Sequence, residues 1–471
     1  MNWRTRFVVA LLLGFAGTAT AQGNSELPLI GRIKSRAARD ISSSRWSVGG
    51  ETLDRGFGVY ASYKAYLGPL GAKSIRLQAG WARCEPRPDV YDWGWLDAIV
   101  DDALAQGVQP WLQLSYGNPV YPGGGDTGLG GGFPSSLEAL AAWDRWVRAI
   151  VRHYRDRVHQ WEIWNEPDLN DKGTATVEAY VELYLRTAAI IREVQPAGKS
   201  QIYALALCYD LRYADRFLSV MTPRGKLDLV DAVTIHTYPE NPDDTRNVDE
   251  LRALIARTGR PIPVRQGETG APSRYQESFA LKGMPWTETM QAKWDLRRML
   301  AHHAKDVPFS LFTMIDLHYR RGGAVDMNYK GLLASRDDQS VDHAKPAYEA
   351  AQRVFAIFDD TLDRVGDFAC TAGTTRPLAA SAYVNKQTGG QVVALWFRDG
   401  KPADSNARIL VDLTFAGARF SEPVLVDLLT GEVRALPRTI PGSRFRQIPL
   451  YDSPILIAEK SALPIDAAAA R

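Results

Sequence analysis

The chain is poor in cysteine, with three among its 471 residues. Cys84, Cys208 and Cys370 are odd in number and widely spaced, so they form at most one disulfide and lack the paired spacing of a metal site. The seven histidines are scattered, and neither His-x-His nor His-Glu-x-x-His occurs. His302 and His303 are adjacent on a predicted helix and cannot share a face. We therefore expect buried thiols, no metal and no cofactor, which argues against a metal-dependent hydrolase.

The chain also lacks long runs of one charge and apolar runs long enough to span a bilayer. Lys and Arg number 56 and Asp and Glu number 54, so the charge pattern does not indicate a nucleic-acid partner. The apolar run at residues 7–15 is too short for a transmembrane helix. It follows Arg4 and Arg6 and precedes the small Ala-Thr-Ala segment at 19–21. This pattern predicts a secretory signal peptide over residues 1–21 and a secreted or periplasmic protein with no membrane partner.

Strand and helix patterns alternate through the middle of the chain, which is typical of parallel βαβ units. Eight short strands are predicted, at 57–60, 74–78, 108–114, 159–166, 202–207, 232–236, 261–268 and 309–315. The predicted helices include 93–106, 177–194, 248–256 and 291–304. Ser135 and Glu138 are predicted to form the capping box of a further helix. Eight such units predict a (β/α)8 TIM barrel over residues 51–358.

The flanking segments have a different pattern. Beyond the barrel, short alternating strands such as 392–397 are separated by turns, which predicts a small β-sandwich over residues 359–462. Residues 463–471 are predicted to be a disordered tail. Residues 22–50 form an N-terminal extension with two short predicted strands. These strands would either wrap the barrel or join a sheet of the C-terminal domain, and the sequence leaves both arrangements open.

The most informative segment is Trp161-Glu162-Ile163-Trp164-Asn165-Glu166-Pro167. Pro167 cannot donate a ladder hydrogen bond and keeps the preceding residue extended, so the fourth strand should end at Glu166. A carboxylate is thereby held at the C-terminal end of a barrel strand, where barrel enzymes keep their chemistry. Glu162 points the same way but lies deeper, and we interpret it as a structural partner.

Trp164-Asn165-Glu166-Pro167 resembles the acid/base signature of the retaining glycoside hydrolases on (β/α)8 barrels, the clan that includes families 5 and 39. In that clan a second Glu, the nucleophile, ends strand seven, and here the predicted strand seven ends in Gly267-Glu268. The resemblance implies that Glu166 is the general acid/base and Glu268 the nucleophile. Two carboxyl groups about 5 Å apart hydrolyse a glycosidic bond with retention of configuration. The trailing sandwich fits family 39 and several of its relatives.

The resemblance extends to three supporting residues. Arg76 on strand two resembles the clan arginine that holds the nucleophile ionised, because an adjacent cation lowers a carboxylate pKa. Asn165 resembles the amide that bonds the sugar 2-hydroxyl, and Tyr238 resembles the strand-six tyrosine that bonds the nucleophile. Asp316 and His318 follow strand eight, where many clan members carry a tryptophan under the bound sugar. We therefore expect the subsite at the cleavage point to differ from the clan pattern.

Further pocket candidates come from strand ends and loops. His236 ends strand six, and we interpret it as a pocket residue with a core histidine as the alternative. Tyr116 and Asn118 follow strand three, at the start of the glycine-rich segment 117–133. The glycine spacing matches no phosphate-binding fingerprint. It favours a mobile loop at the substrate cleft over a plain linker.

Tryptophan faces stack on sugars, and four tryptophans near strand ends are candidates for this role. Trp81 lies in a predicted loop and is the best candidate for a sugar platform, with Trp164 as a second. Trp111 and Trp161 lie within strands and are assigned to the core.

Together these residues predict a secreted retaining β-glycosidase that acts on an oligo- or polysaccharide. The alternative is a catalytically silent carbohydrate-binding protein on the same barrel. Binding alone does not require two facing Glu residues together with Arg76 and Tyr238, so hydrolysis is favoured. The sugar, its linkage and exo- or endo-action are not predicted by the sequence.

Overall fold

The computed structural model of the protein describes residues 27–170, 175–366, 368–437 and 443–467. The predicted signal peptide, residues 1–21, lies outside these segments, as do residues 468–471 of the predicted tail. None of the helices in the described segments is long and apolar enough to cross a bilayer.

Eight parallel strands close into a barrel, with the first paired to the eighth at Trp46 and Phe309. In chain order the barrel strands are Trp46–Gly49, Ser74–Gln78, Gln109–Leu114, Gln160–Ile163, Gln201–Leu207, Ala232–Ile235, Val264–Thr269 and Phe309–Leu311. Because all eight strands are parallel, their carboxyl ends share one rim. The closed barrel confirms the predicted (β/α)8 fold and brings the ends of strands four and seven to the same mouth.

Nine α-helices lie in the described segments, most of them packed around the barrel. They are α1 Tyr60–Leu70, α2 Trp81–Cys84, α3 Gly94–Ala105, α4 Leu137–Tyr154, α5 Val177–Val194, α6 Leu211–Met221, α7 Arg246–Ala256, α8 Glu288–His303 and α9 Pro346–Ile357. Short 3₁₀ turns occur at Ala38–Asp40, Leu53–Arg55, Pro167–Asn170, Leu227–Leu229 and Lys460–Ala462. Helix α6, which begins at its cap Asp210, was not predicted.

The predicted start of α4 is wrong by one residue. Ser136, not Ser135, caps this helix, and its hydroxyl accepts the Ala139 N–H at 3.0 Å. Leu137 is apolar and fits the helical spacing of the buried face of α4, yet it is 89% exposed. As the first residue of the helix it precedes the turns that pack against the barrel.

The predicted first strand is also wrong. Residues 57–60 form a bend that leads into α1, and the first barrel strand is Trp46–Gly49, inside the segment assigned to the N-terminal extension. This strand has few apolar residues because Ser47 and Gly49 pair with Ser74 and Arg76 and share their inward face. Small inward residues leave room for larger side chains in the barrel, and they weaken the apolar signal of the strand.

Two antiparallel sheets form the predicted β-sandwich. The larger sheet contains, in spatial order, Leu362–Val365, Leu378–Asn385, Gln391–Phe397, Ile455–Glu459, Pro423–Asp427, Glu432–Ala435, Leu29–Ile33 and Ile465–Ala467. The smaller sheet contains Cys370–Ala372, Ile409–Phe415 and Arg444–Leu450. The N-terminal strand Leu29–Ile33 therefore joins the C-terminal sheet. Ile465–Ala467, assigned to a disordered tail, is a strand because it pairs with that N-terminal strand.

Two hairpins complete the described strands, and both follow barrel strand eight. Leu317–Arg321 pairs with Ala324–Asn328, and Leu333–Ser335 pairs with Val341–Ala344. All three cysteines are free thiols. Cys84 is buried as expected, whereas Cys208 and Cys370 are only partly buried.

Candidate active site

One guanidinium organises the base of the pocket. Arg76, on barrel strand two, is fully buried and donates to three carboxylates. Its Nε lies 2.8 Å from Glu162 Oε2, and its Nη1 lies 3.1 Å from Glu51 Oε1 and 3.0 Å from Glu268 Oε2. Burial opposes the charged form, but the adjacent carboxylates outweigh it and raise the pKa of Arg76. A permanent cation therefore lies directly beside the predicted nucleophile.

Both oxygens of Glu268 are held by donors. Arg76 binds Oε2, and the Tyr238 hydroxyl donates to Oε1 at 2.7 Å. Burial and the neighbouring Glu268 raise the pKa of Tyr238 well above its usual value, so the hydroxyl keeps its proton. These two bonds stabilise the ionised carboxylate and fix its direction, which is the arrangement a nucleophile needs.

Glu166 has the opposite environment. It follows barrel strand four in a positive-φ conformation and is almost fully buried. Burial, reinforced by the nearby Asp168, raises the pKa of Glu166 to about 8. Glu166 Oε1 lies 2.8 Å from His236 Nδ1. Burial lowers the pKa of His236 to about 4, so the imidazole is neutral and Glu166 carries the proton at neutral pH.

The two glutamates face each other at close range. One carboxylate oxygen from each, together with a ring nitrogen of His236, lie within 4.8 Å of one another. This separation matches the roughly 5 Å spacing of carboxyl pairs in retaining glycosidases, and it is shorter than the roughly 6.5–9.5 Å that inverting enzymes need. The surroundings of Glu166 favour its protonated form, and Arg76 and Tyr238 bind the carboxylate of Glu268 on the other side of the same gap.

Glu166, His236 and Glu268 are also the one trio among the described residues whose spacing would suit a metal ion. However, Glu268 Oε2 already accepts from the Arg76 guanidinium at 3.0 Å. A divalent cation at this position would be repelled by that guanidinium and would compete for the same oxygen. We therefore interpret the trio as a proton-transfer site.

A second layer of polar side chains holds this arrangement. Glu162 Oε2 also accepts from Gln113 Nε2 at 2.8 Å, and Glu162 Oε1 accepts from the Thr234 hydroxyl. Both oxygens of Glu162 therefore have donors below the pocket, which agrees with the structural role that its depth in the strand predicted. Asn165 Oδ1 accepts from both Arg76 and Gln113.

The amide nitrogen of Asn165 has one protein partner within the part of the chain that the structure describes. Its Nδ2 donates to the Tyr116 hydroxyl at 2.8 Å and keeps a second hydrogen for a ligand. Arg55 lies over the Tyr116 ring at 4.9 Å from its centroid. The structure thus brings Tyr116 into the site through Asn165.

The predicted tryptophan platforms are not in the pocket. Trp81 is fully buried, donates to Glu85 Oε2 at 2.6 Å, and stacks on Tyr121 and Trp146. The predicted loop position is wrong, because Trp81 begins α2 and turns inward. Trp164 is 1% exposed and packs edge-on to Phe133, in the core.

Three predicted polar residues make contacts that hold loops. Asn118 is buried and donates to the Glu85 carbonyl at 2.9 Å. Asp316 accepts from Lys345 Nζ at 2.7 Å, and this ion pair fixes the segment after strand eight. His318 Nε2 lies 2.8 Å from the Ser335 hydroxyl. None of these contacts involves Glu166 or Glu268, so the predicted pocket roles are not supported.

Aromatic side chains nevertheless gather beside strand eight. Tyr319, in the hairpin after that strand, lies 4.8 Å from Phe57 and 4.6 Å from Phe279, measured between ring centroids. Burial and the charge of Glu268 raise the pKa of Tyr319, and Arg55 opposes this shift. Tyr319 therefore lies close enough to the nucleophile for its charge to act on the phenol. This trio supplies an aromatic wall where the sequence suggested a departure from the clan pattern.

Sequence reasoning missed two ionisable residues in the site. Lys330 is buried, with Nζ 3.3 Å from Asn328 Oδ1 and 5.6 Å from the centre of the Tyr238 ring. Burial lowers the pKa of Lys330 to about 7, against the opposing effect of Glu268. Glu51 binds Arg76 from the end of strand one. One of the two short strands predicted in the N-terminal extension lies there, but it was not assigned to the barrel, so the place of Glu51 at the barrel mouth was not predicted.

The family model described as "Glycosyl hydrolases family 39" matches residues 82–438. A "Beta-xylosidase" from Geobacillus stearothermophilus is 28% identical over 129 residues, which are 25% of this chain and 25% of that protein. The match thus spans only a quarter of the length of this curated relative.

Solved structures share the fold. A family 39 glycoside hydrolase from Bacteroides cellulosilyticus WH2 has a TM-score of 0.63 and 18% identity, over 88% of this chain and 81% of that one. A monomeric β-xylosidase from Caulobacter crescentus CB15 has a TM-score of 0.59 and 17% identity, over 91% and 97% of the two chains. At these identities the likeness concerns the architecture of barrel and sandwich.

Proposed function

Because the chain belongs to glycosyl hydrolases family 39, we propose that it hydrolyses β-linked glycosides with retention of configuration. The observation that carries this proposal is the pair of glutamates whose oxygens approach within 4.8 Å in opposite environments. Burial keeps the proton on Glu166, whereas Arg76 and Tyr238 stabilise the anion of Glu268. A carbohydrate-binding protein has no need for this division of charge, so the silent alternative is disfavoured.

In the first step Glu268 Oε attacks the anomeric carbon as the glycosidic C–O bond breaks. The Glu166 proton passes to the departing oxygen, so that the leaving group departs neutral and Glu166 becomes an anion. Glu268 loses its negative charge as it becomes an ester, so Arg76 and Tyr238 no longer bind an anion at this position. The free Nδ2 hydrogen of Asn165 is placed to bond a sugar hydroxyl as positive charge develops on the ring.

In the second step Glu166 acts as a base. It removes a proton from water, the resulting hydroxide attacks the anomeric carbon, and the ester bond to Glu268 breaks. Two inversions give net retention, and each carboxyl returns to its starting state. His236, neutral and bonded to Glu166, orients the carboxyl during both proton transfers.

The similar proteins supply a candidate substrate class, which the sequence did not. The curated relative and one structural neighbour are named as β-xylosidases, so β-xylosides are the first substrates to test. A secreted or periplasmic location rests on residues 1–21 and is part of the same proposal.

Trapping of the covalent intermediate tests this function. A 2-fluoro-β-xyloside with a dinitrophenolate leaving group should inactivate the protein with one added sugar per chain, and peptide mapping should place that sugar on Glu268. Glu268→Gln should take up no label. Proton NMR of the first product from an aryl β-xyloside should show the β-anomer. Label on another residue, or an α-anomer as first product, would overturn the proposal. The same measurements on a panel of other aryl β-glycosides identify the substrate if its sugar is not xylose.

A further inference from the structure

Glu51 is a buried carboxyl that takes no part in either step of the double displacement. It follows barrel strand one, is 2% exposed, and shares a single nitrogen of Arg76 with the nucleophile. Arg76 Nη1 lies 3.1 Å from Glu51 Oε1 and 3.0 Å from Glu268 Oε2. With Glu162 also on this guanidinium, three carboxyls face one cation.

The far oxygen of Glu51 lies beside a hydroxyl group. Glu51 Oε2 is 3.3 Å from the Thr313 hydroxyl, and that hydroxyl is 2.7 Å from the Gly49 carbonyl. A carbonyl accepts only, so we assign the single hydroxyl proton of Thr313 to Gly49, at the shorter distance. Thr313 therefore turns a lone pair towards Glu51 Oε2, and the contact is attractive when Glu51 supplies the proton.

The surrounding groups favour the same protonation state. Burial raises the pKa of Glu51 to about 8, Arg76 opposes the shift, and the charge of Glu268 adds to it. The other titratable groups facing Glu51 are Tyr63 on α1, Tyr238 after strand six and Tyr319 in the hairpin after strand eight. All three are neutral phenols at neutral pH. Among these groups, Glu268 is the one that loses its charge during the reaction. That loss would shift the protonation equilibrium of Glu51 towards the ionised form.

We propose that Glu51 holds a proton while Glu268 is ionised and gives it up to solvent when Glu268 is esterified. This inference rests on the proposed function, because it uses the covalent intermediate. In the resting site Arg76 faces the anions of Glu162 and Glu268. In the intermediate the ester is neutral, the repulsion on Glu51 disappears, and Arg76 faces the anions of Glu162 and Glu51. Glu51 is thereby a positioning residue that keeps the charge around Arg76 constant through both steps.

The space for this carboxyl is built into the strand. A Cβ at residue 49 would lie 2.0 Å from Glu51 Oε2, so Gly49 is what allows Glu51 to fold back towards Arg76 and Thr313. The bond and proton balance of the first step is unchanged. The bond between Glu268 and the anomeric carbon forms, the bond between the anomeric carbon and the aryl oxygen breaks, and dinitrophenolate leaves without needing a proton. Protons released on trapping therefore come from the protein.

Proton release on trapping tests the inference. In weakly buffered solution near neutral pH, an indicator dye would report protons released as the dinitrophenyl 2-fluoroglycoside reacts. Glu166 must also lose its proton before it acts as a base in the second step, so the comparison between variants is decisive. We expect Glu51→Gln to release about one proton fewer per trapped site than the wild type. The control Glu85→Gln removes another buried carboxyl, which is held by Trp81 and Tyr121 and not by Arg76, and should match the wild type. Equal release from Glu51→Gln and the wild type would overturn the inference.

Thr313→Val provides a second variant of nearly unchanged shape. It removes the acceptor of the Glu51 proton, so we expect Glu51 to ionise at lower pH in the free protein and trapping to release fewer protons than in the wild type. Greater release would mean that Thr313 donates to an ionised Glu51, which contradicts the proposal.

Thermal unfolding separates this inference from the proposed function, because it needs no substrate. A carboxyl with a pKa of about 8 when folded and 4.5 when unfolded stabilises the fold below about pH 4.5 and loses that contribution as the pH rises towards 8. The melting temperature of Glu51→Gln relative to the wild type should therefore increase across this range. A flat difference would overturn the inference. A rising difference in a protein that no fluoroglycoside traps would uphold the protonated Glu51 and overturn the proposed function.

Discussion

The carboxyl of Glu166 and the imidazole of His236 are joined by a 2.8 Å hydrogen bond, and burial moves their pKa values in opposite directions. Glu268 Oε2 lies 3.7 Å from the same Nδ1 and attracts its hydrogen, so we assign the neutral tautomer with hydrogen on Nδ1. Nδ1–H then donates to Glu166 Oε1, and the acid proton of Glu166 is left on Oε2. The pair thus orients the proton for transfer without holding a charge of its own.

The pH dependence of the first step follows from this pair. Because burial raises the pKa of Glu166 to about 8, we expect kcat/KM for a substrate with a poor leaving group to fall above about pH 8, as Glu166 loses its proton. A pH–rate profile measures this limb. The limb should be much weaker for a dinitrophenyl glycoside, whose departure needs no acid. The same limb for both substrates would contradict the assignment of Glu166.

Removing the nucleophile should abolish turnover. We expect Glu268→Ala to lower kcat by more than about 10⁴-fold, since no other group in the gap can form the ester. Azide fits the space left by the carboxylate and should restore turnover with release of an α-glycosyl azide from a β-glycoside. Product NMR identifies the anomer. A variant with near wild-type rates would exclude Glu268 as the nucleophile.

Removing the acid should affect substrates unequally. For Glu166→Ala we expect losses of about 10²–10⁴-fold in kcat/KM on alkyl glycosides, in the range of a lost general acid. Aryl glycosides with good leaving groups should lose far less in this step. Steady-state kinetics over a leaving-group series gives the comparison, and equal losses across the series would argue against an acid role.

Tyr238 is expected to act through the nucleophile. Its hydroxyl donates to Glu268 Oε1 at 2.7 Å, and a hydrogen bond to a charged group is worth about 1.5–3 kcal/mol. We therefore expect Tyr238→Phe to lower kcat/KM by roughly 10- to 150-fold. Tyr60→Phe is a matched control, because Tyr60 donates to Asp102 at the same distance outside the site. That variant should change stability and leave kcat/KM near wild type.

Trp81 is expected to stabilise the fold without binding sugar. It is fully buried against Tyr121, Trp143 and Trp146, so Trp81→Ala should cost about 3–5 kcal/mol of unfolding free energy. The KM of the folded fraction should stay near wild type. Tyr319→Ala should show the reverse, with a raised KM and a small loss of stability. Chemical denaturation and kinetics on both variants measure the difference, and a raised KM for Trp81→Ala would restore the platform role.

Much of the site could be predicted because its chemistry is encoded at strand ends. The sequence predicted strand ends at Glu166 and Glu268. In the structure Glu166 follows the strand Gln160–Ile163 and Glu268 is the last but one residue of Val264–Thr269, so the parallel barrel brings the two carboxyls to one rim. Helices with strong apolar spacing, such as Val177–Val194, were predicted to the residue. The strand Trp46–Gly49 was predicted as part of the N-terminal extension and not of the barrel, because its inward positions are Ser47 and Gly49, which carry no apolar signal.

The sequence by itself determined the barrel, the two glutamates and their order along the chain, because apolar spacing and strand-ending residues are local properties. Only the tertiary structure decided which polar side chains reach them. Glu51 contacts Arg76 and Asp316 contacts Lys345 across 25 and 29 residues of chain. Such contacts depend on how strands and loops from distant segments pack. The raised pKa of Glu166 and the lowered pKa of His236 have the same origin, since both follow from burial that the closed barrel creates.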